Sequence, residues 1–280
     1  MNLSQYSWFM TWSLAFACSC HMSAQIPIDP SPTSDHKTRY TNAEKRYIWC
    51  HNCKLLIYAD SAVETIDIYD RRCYLPEYIF TLPKLTSLYI SSAKLEIGKE
   101  ASQLHSLREL SIHHVTYDHP PTFIFGNLSL RSLLLNLRNE NSVIKGFSKL
   151  EELESLYLNF ESLDIFPAAL EELSSLKKLR ITIDGDETLK QLNENFTHLS
   201  NLEQLKIDLD LSHNVEFISK LPRLKYLWVK EYSNFEDSYK TLTQLANLEG
   251  IYIDKISSEE LKELKKLLPV MRYKDWPDIP

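Results

Sequence analysis

Leu85-Thr86-Ser87-Leu88-Tyr89-Ile90 places an apolar residue, two variable residues, an apolar residue, one variable residue and a last apolar residue in a row, and the chain writes that phrase nine times between Val63 and Ile253. The copies begin at Val63, Leu85, Leu107, Leu130, Leu153, Leu176, Leu202, Leu224 and Leu248. Counting a weaker tenth copy at Leu268, each begins 20 to 26 residues after the last. Alternation with period two predicts a short strand, with Leu88 and Ile90 turned inward and Ser87 and Tyr89 turned outward. No single copy can bury its apolar face alone, so the copies must stack as parallel strands over one continuous core. A fully buried Leu or Ile contributes about 1.5–3 kcal/mol, so four per copy supply roughly 6–12 kcal/mol before ordering entropy is subtracted.

The stretch before each strand repeats differently, as Leu104-x-x-Leu107, Leu150-x-x-Leu153, Leu173-x-x-Leu176, Leu199-x-x-Leu202, Leu221-x-x-Leu224 and Leu245-x-x-Leu248. Leucines three apart predict a helical turn with one apolar stripe. Units four to seven add a third inward apolar residue, Leu137, Phe160, Ile183 and Leu209, which predicts longer strands in the middle.

On these residues the chain resembles a leucine-rich repeat protein of the plant and bacterial type, whose repeats run to about 20–29 residues. Ile165-Phe166-Pro167-Ala168-Ala169-Leu170-Glu171-Glu172-Leu173 and Leu75-Pro76-Glu77-Tyr78-Ile79-Phe80 carry that type's turn of a bulky residue, proline and helix. The resemblance spans Val63 to about Tyr273. It implies an α/β solenoid, a curved horseshoe with a parallel sheet on the concave face and helical or irregular returns on the convex face. It also implies a binding role, most commonly protein–protein recognition, and no catalytic residue. The type usually places Asn or Cys three residues after the last strand leucine. Here those positions hold Ala93, Val115, Arg138, Glu161, Asp184, Asp210, Tyr232 and Ile256, so the turns must be satisfied by something other than a regular ladder.

Repeats occupy 63–273 on this reading, as about ten units, with caps at both ends. Asn42 to Asp60 suits an N-terminal capping helix within a cap spanning 42–62. Ser257-Ser258-Glu259-Glu260 predicts a capping box, after which Leu261, Leu264 and Leu268 line one helix face. Met271, Tyr273 and Trp276 are expected to close the last strand ahead of a tail at 274–280, with no appended catalytic domain.

The first 28 residues contain no Asp, Glu, Lys or Arg, and Trp8 to Cys20 is an apolar run of signal-peptide length, too short to cross a bilayer. Residues 1–24 are therefore expected to be a signal peptide cut after Ala24, with lipidation at Cys18 as the alternative and a buried N-terminal segment as the plain one. Residues 25–41 read as a flexible linker. Secreted, cell-surface or periplasmic export follows, with no transmembrane segment once the leader is removed. Of the five cysteines, Cys50, Cys53 and Cys73 then remain. Cys73 can bridge to Cys50 or Cys53 in an oxidising compartment, or all three can stay as buried thiols. A lone Cys50-His51-Asn52-Cys53 pair lacks the further ligands that zinc requires.

A net charge of −7 and only five glycines argue against nucleic acid as a partner and against a phosphate loop. His105, His113, His114 and His119 do not converge on one metal, and no Ser-His-acid triad assembles, so no metal, cofactor or enzyme activity is expected. Asn127-Leu128-Ser129 and Asn195-Phe196-Thr197 match glycan sequons.

What remains is the outward strand positions. The middle ones read Asp67, Tyr89, Ser111, Leu134, Tyr157, Arg180, Lys206, Trp228 and Tyr252, with Tyr69 and Tyr226 flanking. Strands favour aromatics for cross-strand packing, but large aromatics facing solvent are also enriched in interface hot spots. The expected partner-binding residues are Tyr69, Tyr89, Tyr157, Arg180, Lys206, Tyr226, Trp228 and Tyr252. A protein or peptide is the expected ligand. A carbohydrate binder, a secreted effector and a passive structural surface protein are the rivals.

Overall fold

The computed structural model describes residues 46–51, 63–70, 73–75, 79, 81–92, 94–97, 106–143, 145–189, 192, 194–232, 243–245 and 248–269. The leader, the linker, the tail, the tenth repeat copy beyond Leu268 and the thiols of Cys50, Cys53 and Cys73 lie outside the described residues. The chain divides into two compact units, Met1–Val115 and Thr116–Pro280.

In the first unit, β1 (Arg46–His51), β2 (Val63–Asp70), β4 (Ser87–Ser92) and the start of β6 (Glu109–Tyr117) are parallel neighbours in that order. A separate parallel pair joins β3 (Cys73–Leu75) to β5 (Leu95–Ile97). The N-terminal stretch departs from expectation. Arg46–His51 forms a strand in register with β2, not a capping helix. Tyr47, Ile48 and Trp49 are β-favouring residues in a row, and the open edge of β2 supplies hydrogen-bond partners that an isolated helical turn would lack.

The second unit carries β7 (Ser132–Leu137), β8 (Ser155–Phe160), β9 (Lys178–Ile183), β10 (Gln204–Asp210), β11 (Tyr226–Glu231) and β12 (Gly250–Lys255). These six pair in parallel in chain order, each repeat adding one strand. Leu133, Leu156, Leu179, Leu205, Leu227 and Ile251 stand opposite one another and are buried. Leu135, Leu158, Ile181, Ile207, Val229 and Ile253 form a second buried row, and the added Leu137, Phe160, Ile183 and Leu209 are also in the core. This is the leucine-rich repeat fold, read directly from strand register and burial.

Among the described residues the returns are mostly 3-10 rather than α. Leu153, Leu176, Leu202 and Leu248 each donate their N–H to a carbonyl three residues back, at Leu150, Leu173, Leu199 and Leu245, over 3.0–3.1 Å. A 3-10 turn has 3.0 residues per turn, so leucines three apart lie above one another on its buried side. The next two N–H groups reach back one repeat to share a single carbonyl, as Glu154 and Ser155 do at Arg131, and Lys177 and Lys178 at Glu154. That sharing repeats to Gly250 at the entry to each strand, and past the strand ends the N–H groups of Glu161, Ser162 and Asp184 donate back one repeat to the carbonyls of Leu137, Arg138 and Phe160 at 2.8–3.0 Å, backbone bonds that meet part of the demand a regular side-chain ladder would meet. The proline motif behaves as expected: Ala168–Leu170 is a 3-10 turn opening directly after Pro167.

Among the described residues one α-helix interrupts this pattern, α1 (Val215–Ser219), and a second, α2 (Ser258–Leu267), follows the last strand. The predicted capping box is present. Ser257 Oγ accepts from the Glu260 N–H at 3.2 Å, and Glu260 Oε2 accepts from the Ser257 N–H at 2.8 Å. Leu264 and Leu268 are buried beneath that helix, with Leu261 half-buried.

Candidate functional site

Inward positions are occupied by the core, so the intervening residues of each strand face solvent. In the second unit, register aligns Leu134, Tyr157, Arg180, Lys206, Trp228 and Tyr252 side by side, one per strand. At about 4.8 Å per strand the row is roughly 24 Å long, the span of about seven residues of extended chain. Five of the eight expected binding residues therefore share one row. Tyr226 lies in the adjacent row, between Gln204 and Gly250, and its hydroxyl donates to Glu249 Oε2 at 2.7 Å.

The end of the row is the most organised part. The Trp228 and Tyr252 rings stack with centroids 6.0 Å apart and planes 11° apart. Lys206 Nζ sits 4.3 Å from the centre of the Trp228 ring, within cation–π range. Burial holds the Lys206 ammonium below its ordinary pKa, and the Arg180 guanidinium adds to that, against partial relief from Asp208 and Asp254. Burial also pushes the Tyr157 hydroxyl up. Tyr252 is 37% exposed, so its ring remains available to a ligand.

Sequence reasoning passed over the neighbours of this row. Asp208, two residues after Lys206, is buried; its Oδ2 accepts the Ile183 N–H at 2.8 Å, and burial raises its pKa. Past Ile207 the register of β10 against β11 shifts, and the segment 184–189 is tied in there. Leu189 N–H donates to the Asp208 carbonyl at 2.8 Å, and the buried Lys230 Nζ donates to the carbonyls of Gly185 and Glu187 at 2.9 and 3.0 Å. Gly185 has φ +75°, left-handed backbone that glycine adopts without strain. Asn214 does part of the work of the missing ladder: wholly buried, it accepts the Leu192 N–H and donates to the Asp210 carbonyl, both at 2.7 Å. A row of Asn136, Asn159 and Thr182 also links three outward positions, Asn159 donating to Asn136 at 2.8 Å and the Thr182 hydroxyl to Asn159. Parity with the middle row was the available signal for that one.

Tyr69 and Tyr89 meet in the first unit, with centroids 5.3 Å apart, and His113 adds a third ring 4.8 Å from Tyr89. His113 faces outward as expected, and burial depresses its pKa. His114 is exposed at φ 64°, ending the alternation of β6. Among the described residues no group of three or more His, Cys, Asp or Glu could hold a metal. Asn127 of the first sequon is 2% exposed, so the folded chain does not offer it to a glycosylating enzyme. The Asn195 side chain lies outside the described residues.

No family model and no curated protein matches this chain. Among solved structures, a leucine-rich repeat protein of Leptospira interrogans is 19% identical, covering 77% of this chain and 73% of its own, with a TM-score of 0.32. An internalin of Listeria monocytogenes is 13% identical over 84% of this chain and 87% of its own, at TM-score 0.46. A second, internalin C2 of the same organism, is 18% identical over 69% and 81%, at 0.49. Parallel strand register and the two buried leucine rows define the fold. No helix among the described residues is long and apolar enough to cross a membrane.

Proposed function

We propose that this protein is a non-enzymatic binding module that recognises a protein or peptide through the solvent face of the β7–β12 sheet. The observation that carries the reading is the Lys206–Trp228–Tyr252 assembly. Two large rings and a partly dehydrated cation are held at outward positions by a core immediately beneath them. Such rigid aromatics lose little entropy when a partner docks, which is why they recur as hot spots. Tyr157 and Arg180 extend the surface along the row, and Tyr226 borders it.

The test is a titration of a peptide selected against the full chain. Trp228→Ala is expected to cost more than about 2 kcal/mol of binding free energy while leaving the fold intact. An unchanged affinity removes this site. A second reading, a carbohydrate binder, is favoured by the near-parallel Trp228 and Tyr252 rings, with a polar Asn136–Asn159–Thr182 row on β7 to β9 of the same face. Glycan-array binding displaced by free sugar would select it over the first.

The same proposal places the protein outside the cell, as a secreted, surface or periplasmic protein, with residues 1–24 removed or Cys18 lipidated. Mass spectrometry of the mature N-terminus distinguishes these. Cys73 bridged to Cys50 or Cys53 suits that compartment. Three reactive thiols in the denatured mature protein would contradict the bridge.

A further inference from the structure

The charge pattern of the β7–β12 face is uneven. Several of this unit's cations are matched across neighbouring repeats. Lys177 pairs with Glu154 at 3.1 Å, Lys225 with Glu203 at 3.3 Å, Lys255 with Asp186 at 3.4 Å, and Arg138 with both Asp118 and Glu161. The whole chain has 38 acidic against 31 basic residues, so two cations set side by side without a carboxylate between them run against its overall balance. Arg180 and Lys206, adjacent in register in the middle row, nevertheless make no ion pair among the described residues. Lys178 stands beside Gln204 in the next row, also unpaired among the described residues. Two like charges on neighbouring strands repel, and sheets ordinarily avoid that arrangement. The nearby acids answer it only in part and form no ion pair with either cation. Asp208 is buried and committed to the Ile183 N–H, and the exposed Asp254 acts only at a distance. Lys230, which is nearby, spends its ammonium on two loop carbonyls.

We infer that the partner is an acidic peptide segment whose Asp or Glu carboxylate lies against Arg180 and Lys206 while a neighbouring apolar or aromatic side chain packs on Trp228 and Tyr252. The inference rests on the sheet-face reading above and names the chemistry of its ligand. Arg180 offers a planar two-pronged donor to a carboxylate, and Lys206 a point charge already fixed over an indole. The two cations sit between Tyr157 and Trp228 in the row, so an extended segment meets aromatic, positive and aromatic surface in that order.

The experiment is selection of a displayed random peptide library on the full chain, followed by titration of a synthetic winner. Enriched peptides are expected to carry Asp or Glu next to Trp, Tyr, Phe or Leu. Arg180→Glu, a change at an exposed side chain, is expected to weaken binding by about tenfold or more, and Lys206→Gln by several-fold. Raising salt from about 0.05 to about 0.5 M should weaken it several-fold as well. Each variant's thermal melt reports its fold. Winners that depend on Trp228 but lack acids and ignore Arg180→Glu overturn the acidic partner and leave the sheet-face reading standing. Winners insensitive to Trp228→Ala overturn both, as does the absence of any winner. An oligonucleotide that binds through Arg180 when no acidic peptide is recovered overturns the inference in favour of phosphate.

Discussion

Tyr89 and Trp228 occupy the same place in their repeats, yet their surroundings differ. In the first unit the outward aromatics spend their faces on one another: Tyr69, Tyr89 and His113 tile at 5.3 and 4.8 Å, and the Tyr89 hydroxyl, pushed up by burial, is hydrogen-bonded with Tyr69. In the second unit Trp228 and Tyr252 stack beside Lys206 and Arg180, which make no ion pair among the described residues, with Tyr252 open to solvent. The first arrangement is what cross-strand packing alone produces. The second leaves aromatic area and charge unused. On the proposed sheet-face reading, residue type at an outward position marks a binding surface only when its neighbours on adjacent strands leave it unsatisfied.

The largest expected effect is the inward–outward contrast itself. Leu227→Ala, at a wholly buried position, should cost about 2–5 kcal/mol of unfolding free energy. Trp228→Ala, one residue on, should cost less than about 1.5 kcal/mol, the worth of an aromatic pair. Denaturant unfolding of the two variants checks this, and equal losses would erase the distinction. Asp208→Ala should come next, at about 1–3 kcal/mol, because it leaves the Ile183 N–H buried without its acceptor. Asp208→Asn keeps an acceptor and should cost less. In the first unit, a double-mutant cycle on Tyr69 and Tyr89 should return about 0.5–1.5 kcal/mol of coupling with no change in peptide binding. A binding defect from Tyr89→Ala would mean that its packing is not its whole role.

The smallest effect concerns pH. Burial holds His113 below its ordinary pKa of 6.5, so the folded state takes up its proton less readily than the unfolded state. Its contribution to stability is present above that pH and is lost as pH falls through 6.5 toward the depressed value. His113→Gln should reduce the drop in Tm between about pH 7 and pH 5. An unchanged drop would assign it to other groups.

The repeat was legible because its signal is local and recurs: each Leu-x-x-Leu-x-Ile phrase states its own register, and Leu88 and Ile90 went inward as period two requires. The row of outward residues followed from that register. The N-terminal strand was not legible, since whether Arg46–His51 coils or extends depends on the β2 edge it meets. Nor was the 3-10 form of the returns, because leucines three apart fit one face of either helix over a single turn. The environment of Lys206 was hidden for a similar reason. It depends on the 184–189 segment tying down Asp208 and Lys230, contacts made across 19 to 45 residues of chain.

The most direct test is hydroxyl-radical footprinting of the full chain with and without a selected peptide, read at each Trp and Tyr. The account predicts that Trp228 and Tyr252 become protected while Tyr69 and Tyr89 keep their reactivity and the buried Tyr232 stays unreactive in both states. Protection confined to Tyr69 and Tyr89, or none at Trp228 with peptide bound, would contradict it.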